Sequence, residues 1–288
     1  MNYEGNIYRP PTEADSLIIQ LTIGCSHNGC IFCGMFKDKE FRLRPIDEVM
    51  EELNEARLTH QYIRSIFLAD GDALSYRTKD LIKIFEYIKI NIPECKHVAS
   101  YATPRSLLLK KQEELDILHQ KGLAVLYLGV ESGSDNVLKY MNKGATADEI
   151  IIAGQKAKTA GFQLVAMMVA GLGGKNLWKE HATHSGRVLS LIKPDFIAAM
   201  TLNIVPGTKL YDKVQCGEFK MLTPYEILYE TKMLINNIDI EGCVFLTNHI
   251  SNYVYIYGTF NKEKSKMYMQ IDDAIKFANI NEQKYINL

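Results

Sequence analysis

Three cysteines within nine residues are the part of this sequence best suited to chemistry. Cys25, Cys30 and Cys33 form a Cys-x4-Cys-x2-Cys pattern directly after the largely apolar run 17–23, which predicts a buried parallel strand. Loops at the carboxyl ends of such strands generally carry the reactive groups of α/β proteins. Three thiolates without a close fourth cysteine suit a metal centre that keeps one position open. The pattern therefore predicts a catalytic centre, and the alternative is a structural zinc site with His27 or another cysteine as the fourth ligand.

Composition and charge are those of an ordinary globular protein. The chain has 288 residues and a formal net charge of -1, so we expect neither a nucleic-acid partner nor a membrane surface. The amino-terminal residues lack the pattern of a secretory signal, and the longest apolar stretch, 162–172, is too short to span a bilayer. We therefore expect a cytoplasmic location, where clustered cysteines favour metal binding over disulfides. The isolated Cys95, Cys216 and Cys243 are expected to be small buried residues.

Four basic residues, Lys37, Lys39, Arg42 and Arg44, follow the cysteines. Basic clusters of this kind usually belong to solvated loops, and contact with an anion is the alternative. We expect these four side chains to be exposed.

Strand-like and helix-like segments alternate along most of the chain. Six strands are predicted, at 17–23, 64–69, 98–101, 123–130, 162–170 and 196–205. Because a helical pattern follows each of them, they imply a parallel sheet with right-handed crossovers. We therefore predict an α/β fold, a partial (β/α)6 TIM-like barrel, with a doubly wound open sheet as the alternative.

The predicted domain organisation has three parts. Residues 1–15 form a lead-in, residues 16–238 form the partial barrel, and residues 239–288 form a small C-terminal extension packed on the barrel. The extension contains a predicted strand at 244–246 and a predicted helix at 265–277.

Polar residues stand at the predicted strand ends. In a parallel barrel these ends converge on one mouth, so the residues there are candidates to surround the metal centre. They are Asp70, Gly71, Asp72, Ser100, Tyr101, Thr103, Glu131 and Ser132. Each also has a simpler interpretation, since Asp72 and Glu131 suit helix starts and Gly71 suits a tight turn.

The order of these segments resembles that of the radical S-adenosylmethionine (radical SAM) superfamily. Its members usually carry Cys-x3-Cys-x2-Cys with an aromatic residue before the last cysteine; Phe32 stands there, although the first gap is one residue longer. Asp70-Gly71-Asp72 resembles the family's Gly-Gly-Glu segment, and Gly-Val-Glu131-Ser-Gly resembles its segment after strand four. Val205-Pro-Gly-Thr-Lys-Leu is similar to a turn of the subgroup that contains oxygen-independent coproporphyrinogen dehydrogenases and methylthiotransferases.

The resemblance implies an anaerobic oxidoreductase-type enzyme with two cofactors. The thiolates of Cys25, Cys30 and Cys33 would hold a [4Fe–4S] cluster, and the amino and carboxylate groups of S-adenosylmethionine would bind its open iron. A one-electron reductant such as flavodoxin or ferredoxin would then allow cleavage to methionine and a 5′-deoxyadenosyl radical, which abstracts a substrate hydrogen. The residues that the resemblance assigns to cofactor binding are Phe32, Asp70, Gly71, Asp72, Ser100, Glu131 and Ser132.

The substrate itself is not predicted beyond a small molecule or a peptide. His181 and, in the polar segment 247–252, His249 and Asn252 are candidates for its contacts, although His181 also suits a satisfied histidine at a helix terminus. Two other function classes stay open. One is a haem- or cofactor-binding protein on the same fold without radical catalysis, and the other is a zinc-stabilised α/β module.

Overall fold

The structure, a computed structural model, describes residues 3–280 and contains two compact units. The first unit comprises the described residues up to Gly129 together with Ile152–Val165. The second comprises Val130–Ile151 and the described residues from Ala166 onward. The division of the sequence at 15/16 and 238/239 stays a prediction.

Ten strands are present in the described part of the chain. They are β1 (Leu17–Gln20), β2 (Thr22–Ile23), β3 (Arg42–Leu43), β4 (Ser65–Ala69), β5 (His97–Ala102), β6 (Leu123–Glu131), β7 (Gln163–Ala170), β8 (Phe196–Thr201), β9 (Val244–Leu246) and β10 (Tyr257–Thr259). Eight form one sheet in the order β1-β4-β5-β6-β7-β8-β9-β10, parallel except for the antiparallel pair of β9 and β10. The strand order follows the sequence without a reversal, which excludes the doubly wound alternative.

Ten α-helices connect and flank these strands within residues 3–280. They are α1 (Ile46–Thr59), α2 (Thr78–Asn91), α3 (Pro104–Leu109), α4 (Gln112–Gln120), α5 (Asp135–Tyr140), α6 (Ala147–Thr159), α7 (Gly174–Ile192), α8 (Lys209–Gln215), α9 (Pro224–Asn236) and α10 (Lys264–Ile280). Local sequence explains several starts: at α9, for example, the Thr223 hydroxyl accepts from the Glu226 amide in a capping box. No helix in the described residues combines the length and apolar character needed to cross a membrane.

Two predicted strands differ from the structure by more than one residue at an end. The run 17–23 is divided at Leu21, because Thr22 and Ile23 turn away and pair with β3. The sixth predicted strand ends at Thr201 and not at residue 205. The strand expected at 244–246 is β9, which pairs in parallel with β8 and so extends the main sheet. The side chain of Phe245 in β9 is fully buried, whereas the same side chain in an isolated strand would be exposed to solvent.

In the first unit, aromatic rings from three adjacent strands pack together. The ring of Phe67 lies edge-on to the rings of Tyr101 and Tyr127, at centroid distances of 5.0 and 6.1 Å. At the amino-terminal side, the Tyr127 hydroxyl donates to Glu13 Oε1 at 2.7 Å. A second Glu13 oxygen accepts from Ser16, which precedes β1. These contacts fix the strand starts, so that the opposite, carboxyl ends are presented by a rigid sheet.

In the second unit, two side chains that follow β10 in the sequence cover its outer edge. The amide of Tyr257 donates to Gln270 Oε1 at 3.1 Å, and the amide of Thr259 donates to Glu263 Oε2 at 2.9 Å. The side chains of Met267 and Ile271 are fully buried, which anchors α10 in this unit.

Candidate functional site

The three cysteines lie on the segment 24–39, called here the cysteine loop, between β2 and β3. Cys25, Cys30 and Cys33 are each half-buried. Within residues 3–280, no three His, Cys, Asp or Glu side chains are grouped closely enough to hold a single metal ion. An iron–sulfur cube takes each thiolate on a different iron, so its ligands need not meet at one point. The described residues therefore contain no preformed group of ligands for a single metal ion, and a cluster held by the three thiolates stays a prediction.

The turn Asp70-Gly71-Asp72 packs directly against the start of this loop. The Gly71 amide donates to Gly24 O at 3.1 Å. A Cβ added at Gly71 would lie 2.9 Å from Cys25 Cβ and 2.8 Å from Phe36 Cε2, so only glycine fits there. Gly71 therefore lets the turn pack closely against the first cysteine, and its contact with the cofactor stays a prediction.

Phe36 is the aromatic residue of the loop that makes this contact. It is 4% exposed, and its ring lies edge-on to that of Tyr8 at 5.7 Å. The predicted Phe32 is half-buried, and its contact with a cofactor stays a prediction.

Asp72 is a buried carboxyl group with one unused oxygen. Its Oδ2 accepts from the Ser26 hydroxyl and, at 3.2 Å, from the Thr103 hydroxyl. Its Oδ1 is buried without a hydrogen-bond partner among the described residues. Burial raises the pKa of Asp72, while the hydroxyl donors, led by Ser26, lower it in part. Such an oxygen is ready to accept from a donor that is not part of the protein.

A cavity of about 760 Å³ opens beside Asp72 in the first unit. Ser26, Asp72, Arg105 and Lys110 line it, among other residues. Lys110 is 8% exposed and donates to Tyr76 O at 3.0 Å, and burial lowers its pKa. The cavity thus combines Asp72, with its unused oxygen, and Glu114 with four basic side chains, those of Arg77, Lys79, Arg105 and Lys110.

Like Asp72, Asp70 has one buried oxygen, Oδ1, without a hydrogen-bond partner among the described residues, but its other oxygen has different partners. It is fully buried, and its Oδ2 accepts from Gln20 Nε2 at 2.9 Å, Gly24 N at 3.0 Å and Lys39 Nζ at 2.9 Å. Lys39 is 7% exposed, so the expectation that it belongs to a solvated loop is wrong. That expectation also fails for Arg44, whose side chain is paired with buried Glu52 at 2.6 Å. The charge pattern alone indicates solvated side chains, because the sequence gives no sign of a buried acid 31 positions away.

Ser100 lies inside β5 and not after it. It is 1% exposed, and its hydroxyl donates to Tyr101 O at 2.7 Å. Thr103, at the N-terminus of α3, is the residue of this segment that reaches Asp72. The Thr-Pro pair at a strand end is the sequence signal of that helix start. A contact of Ser100 with the cofactor stays a prediction.

Glu131 and Ser132 belong to the second unit. Glu131 has a φ of 62° and forms an ion pair with Lys143 at 3.0 Å. The Ser132 hydroxyl, fully buried, lies 2.8 Å from His181 Nδ1 and accepts from the Ser134 amide at 3.1 Å. Both side chains have partners within their own unit, and their contact with the cofactor stays a prediction.

His181 is fully engaged inside the second unit. Its Nε2 lies 3.2 Å from Val169 O, a pure acceptor, so Nε2 carries the proton and Nδ1 accepts from Ser132. Burial lowers the pKa of His181 to about 4. These contacts favour the satisfied-histidine interpretation, and its role at the substrate stays a prediction.

His249 and Asn252 lie in a loop that is fastened to the carboxyl end of β8. Asn252 accepts from the Thr201 hydroxyl at 3.0 Å and donates to Ala199 O at 2.9 Å. Ser251 accepts from the Thr201 amide at 3.1 Å, and His249 Nδ1 lies 2.8 Å from the Ser251 hydroxyl. The loop is therefore held at a strand end, and the role of His249 and Asn252 at the substrate stays a prediction.

The isolated cysteines differ from one another. Cys243 is buried and Cys95 is half-buried, but Cys216 is exposed at the end of α8, so the expected burial is wrong for it. The expectation of burial rested on the residue type, and the sequence next to Cys216 contains few apolar residues that would support it.

Known proteins share this fold and sequence pattern. The family model described as the radical SAM superfamily matches residues 19–183, more than half of the chain. The heme chaperone HemW of Bacillus subtilis is 22% identical over 204 residues, 68% of this chain and 53% of that protein. The chain thus spans about half the length of this curated relative.

Two solved structures support the fold class. Coproporphyrinogen III oxidase of Escherichia coli aligns with a TM-score of 0.56 and 18% identity, covering 77% of this chain and 52% of that one. Methylornithine synthase aligns with a TM-score of 0.53 and 17% identity, covering 93% and 82%. The predicted α/β fold of the partial TIM-barrel type and the predicted radical SAM class of the chain are confirmed. In general, that class uses a [4Fe–4S] cluster, S-adenosylmethionine, a reductant and a substrate. The chain belongs to the radical SAM superfamily.

Proposed function

We propose that this chain holds a [4Fe–4S] cluster through Cys25, Cys30 and Cys33 and binds S-adenosylmethionine beside it. With both bound and one electron supplied by a reductant, the site would provide reductive cleavage of S-adenosylmethionine to methionine and a 5′-deoxyadenosyl radical, which would abstract a hydrogen atom from a small-molecule or peptide substrate. Superfamily membership supports the cofactor pair in general. The assignment to these residues rests on the geometry of the cysteine loop and its acidic turn.

One observation carries the proposal: the turn Asp70-Gly71-Asp72 packs against the first cysteine, and its Asp72 has a carboxylate oxygen without a partner among the described residues. Gly71 lies against Cys25, and the next residue, Asp72, accepts from Ser26, the neighbour of Cys25. The buried Asp72 Oδ1 has no partner among the described residues, and Asp72 is one of the residues that line the adjoining cavity. A donor group bound next to Cys25 would satisfy that oxygen.

The residues of the cavity have distinct parts in this binding. Asp72 accepts a hydrogen bond from the amino group of S-adenosylmethionine, which favours its ionised form against the effect of burial. Arg105 and Lys110, which also line the cavity, provide positive charge for the carboxylate of the ligand. Ser26 and Thr103 hold Asp72 in one orientation.

The substrate is proposed to bind near the loop that contains His249 and Asn252. Its attachment to Thr201, at the end of β8, supports this placement. A one-electron reductant such as flavodoxin or ferredoxin completes the proposed set of partners, and neither nucleic acid nor a membrane is included. A cytoplasmic location is part of the same proposal.

A haem-binding protein without radical catalysis is the second candidate function. The relative from Bacillus subtilis, whose name is heme chaperone HemW, favours it. The two candidates differ in one product, because only the radical enzyme forms 5′-deoxyadenosine.

The test is anaerobic reconstitution with iron and sulfide, followed by dithionite and S-adenosylmethionine, with 5′-deoxyadenosine as the readout. We expect the product from the wild type and from the control Cys95→Ala, but none from Cys33→Ala. A cluster with a haem absorption band after haem addition, and without 5′-deoxyadenosine, would favour the second candidate. Zinc at one per chain and no iron uptake would refute both.

A further inference from the structure

The two ends of the cysteine loop meet at a single carboxylate oxygen. Asp70 Oδ2 accepts from the amide of Gly24, which precedes the first cysteine, at 3.0 Å. It also accepts from Nζ of Lys39, six residues after the last cysteine, at 2.9 Å. The segment that carries all three thiols is therefore closed by Asp70, on the strand end next to β1.

This closure is buried and is strengthened on the lysine side. The exposed fractions of the Lys39 and Asp70 side chains are 3% and 0%. Lys39 Nζ also donates to Asn6 O at 2.6 Å and lies 5.5 Å from the centre of the Phe36 ring. A buried charge that loses its partner is strongly unfavourable, so the protein keeps Lys39 at Asp70 whether or not a cluster is bound.

A second contact shortens the loop from within. Asn28 is the residue at the middle of the first gap, and its side-chain amide donates to Phe36 O at 2.7 Å. The backbone of Asn28 has a φ of 37°, and its carbonyl accepts from Lys37 Nζ at 2.6 Å. The two halves of the loop are thus tied to each other as well as to Asp70.

We propose that the Lys39–Asp70 ion pair positions the cysteine loop for cluster binding before any iron is present. Lys39 and Asp70 are then positioning residues that act through Gly24 and the loop, whereas Asp72 is the acid that faces the ligand. Closing a loop of this length in advance removes much of the chain entropy that binding would otherwise have to overcome. The part of the inference that concerns the cluster rests on the proposed function, and the part that concerns the loop does not.

The first test measures loop order in the iron-free protein. The variants are Lys39→Met and the double variant Lys39→Met/Asp70→Asn, which leaves no orphaned charge and keeps an oxygen acceptor for Gly24. The control, Glu52→Gln, removes the charge of another buried ion pair, that of Arg44 and Glu52. The readout is the rate of iodoacetamide alkylation of Cys25, by mass spectrometry, relative to Cys95 in the same chain.

We expect both Lys39 variants to alkylate at Cys25 about ten-fold faster than the wild type, since the loop opens more often. The control should alkylate at the wild-type rate. Near-ultraviolet circular dichroism identifies variants that are folded. Wild-type alkylation in a folded double variant would overturn the proposal.

The second test uses the reconstituted protein and follows cluster release to an iron chelator by absorbance, with the electron paramagnetic resonance spectrum of the reduced cluster. Faster release and a broadened spectrum in the double variant, but not in Glu52→Gln, are expected from a loop that no longer holds the thiols in one arrangement. Equal release and an unchanged spectrum would overturn the positioning role. If the wild type takes up no iron, the proposed function fails, and the alkylation rates still decide whether the ion pair orders the loop.

Discussion

Glu230, on α9 of the second unit, is a buried acid whose ionisation should weaken the fold. It is 2% exposed, and one of its oxygens accepts from the Gly171 amide at 2.5 Å. The other oxygen is buried without a partner among the described residues. Burial raises the pKa of Glu230 from 4.5 to about 8, and the hydrogen bond from Gly171 only partly opposes this.

The sign and the size of the effect follow from linkage. A carboxyl group with a raised pKa in the folded state stabilises the fold fully below pH 4.5, and this stabilisation is lost as the pH rises to about 8. At about 1.4 kcal/mol per pKa unit, the whole effect has an upper limit of about 5 kcal/mol. Between pH 6.5 and pH 8, the free energy of unfolding should fall by about 1.6 kcal/mol.

The assay is urea unfolding at pH 6.5 and pH 8, followed by the fluorescence of Trp178, the one tryptophan of the chain, which lies in the same unit. Glu230→Gln should lose this part of the pH dependence, and the difference between wild type and variant cancels other titrating groups. His181 does not interfere, because its pKa is lowered to about 4 and its destabilising effect appears only below pH 6.5.

Glu226→Gln, one turn earlier on the same helix, is the matched control. Lys175 holds the pKa of Glu226 below its usual range, so its contribution to stability is constant above pH 6.5. We expect this variant to retain the wild-type pH dependence. An equal fall in wild type and Glu230→Gln would refute the reasoning.

Three further substitutions test the site and its support. Asp72→Asn should weaken binding of S-adenosylmethionine to the reconstituted protein about ten-fold in calorimetry, because a charge-assisted hydrogen bond becomes neutral; an equal loss in the control Asp80→Asn would contradict this. Gly133→Ala should lower the free energy of unfolding by about 2–3 kcal/mol, since the new Cβ would lie 2.4 Å from His184 O, and an unchanged urea midpoint would disprove it. Asn252→Ala should speed hydrogen exchange in the segment 248–252 about ten-fold by removing two hydrogen bonds to β8, whereas unchanged exchange would show that the loop is held by other contacts.

Sequence predicted the parts of this molecule that depend on local pattern. The apolar runs of β4 and β6 are continuous because both faces of the sheet are covered there. A short apolar run that ends in polar residues is enough to predict the position of such a strand. The cysteine motif and the acidic turn could also be identified from sequence, because each of them is a short continuous segment.

The remaining features depend on residues that are distant in sequence. The burial of Lys39 is explained by Asp70, and the contact of Thr103 with Asp72 bridges two strand ends. No spacing rule predicts which basic residue will meet a buried acid. The pairing of β9 with β8 was not predicted, because a run of three residues shows too little of a strand pattern to assign it to the main sheet.

The covered edge of β10 has a consequence for handling the protein. The outward amides of Tyr257 and Thr259 already have acceptors in Gln270 and Glu263. An exposed strand edge is the usual template on which a second molecule adds its own strand and begins to aggregate. At this edge the donors are occupied, so concentrated preparations should resist strand-to-strand polymerisation through β10.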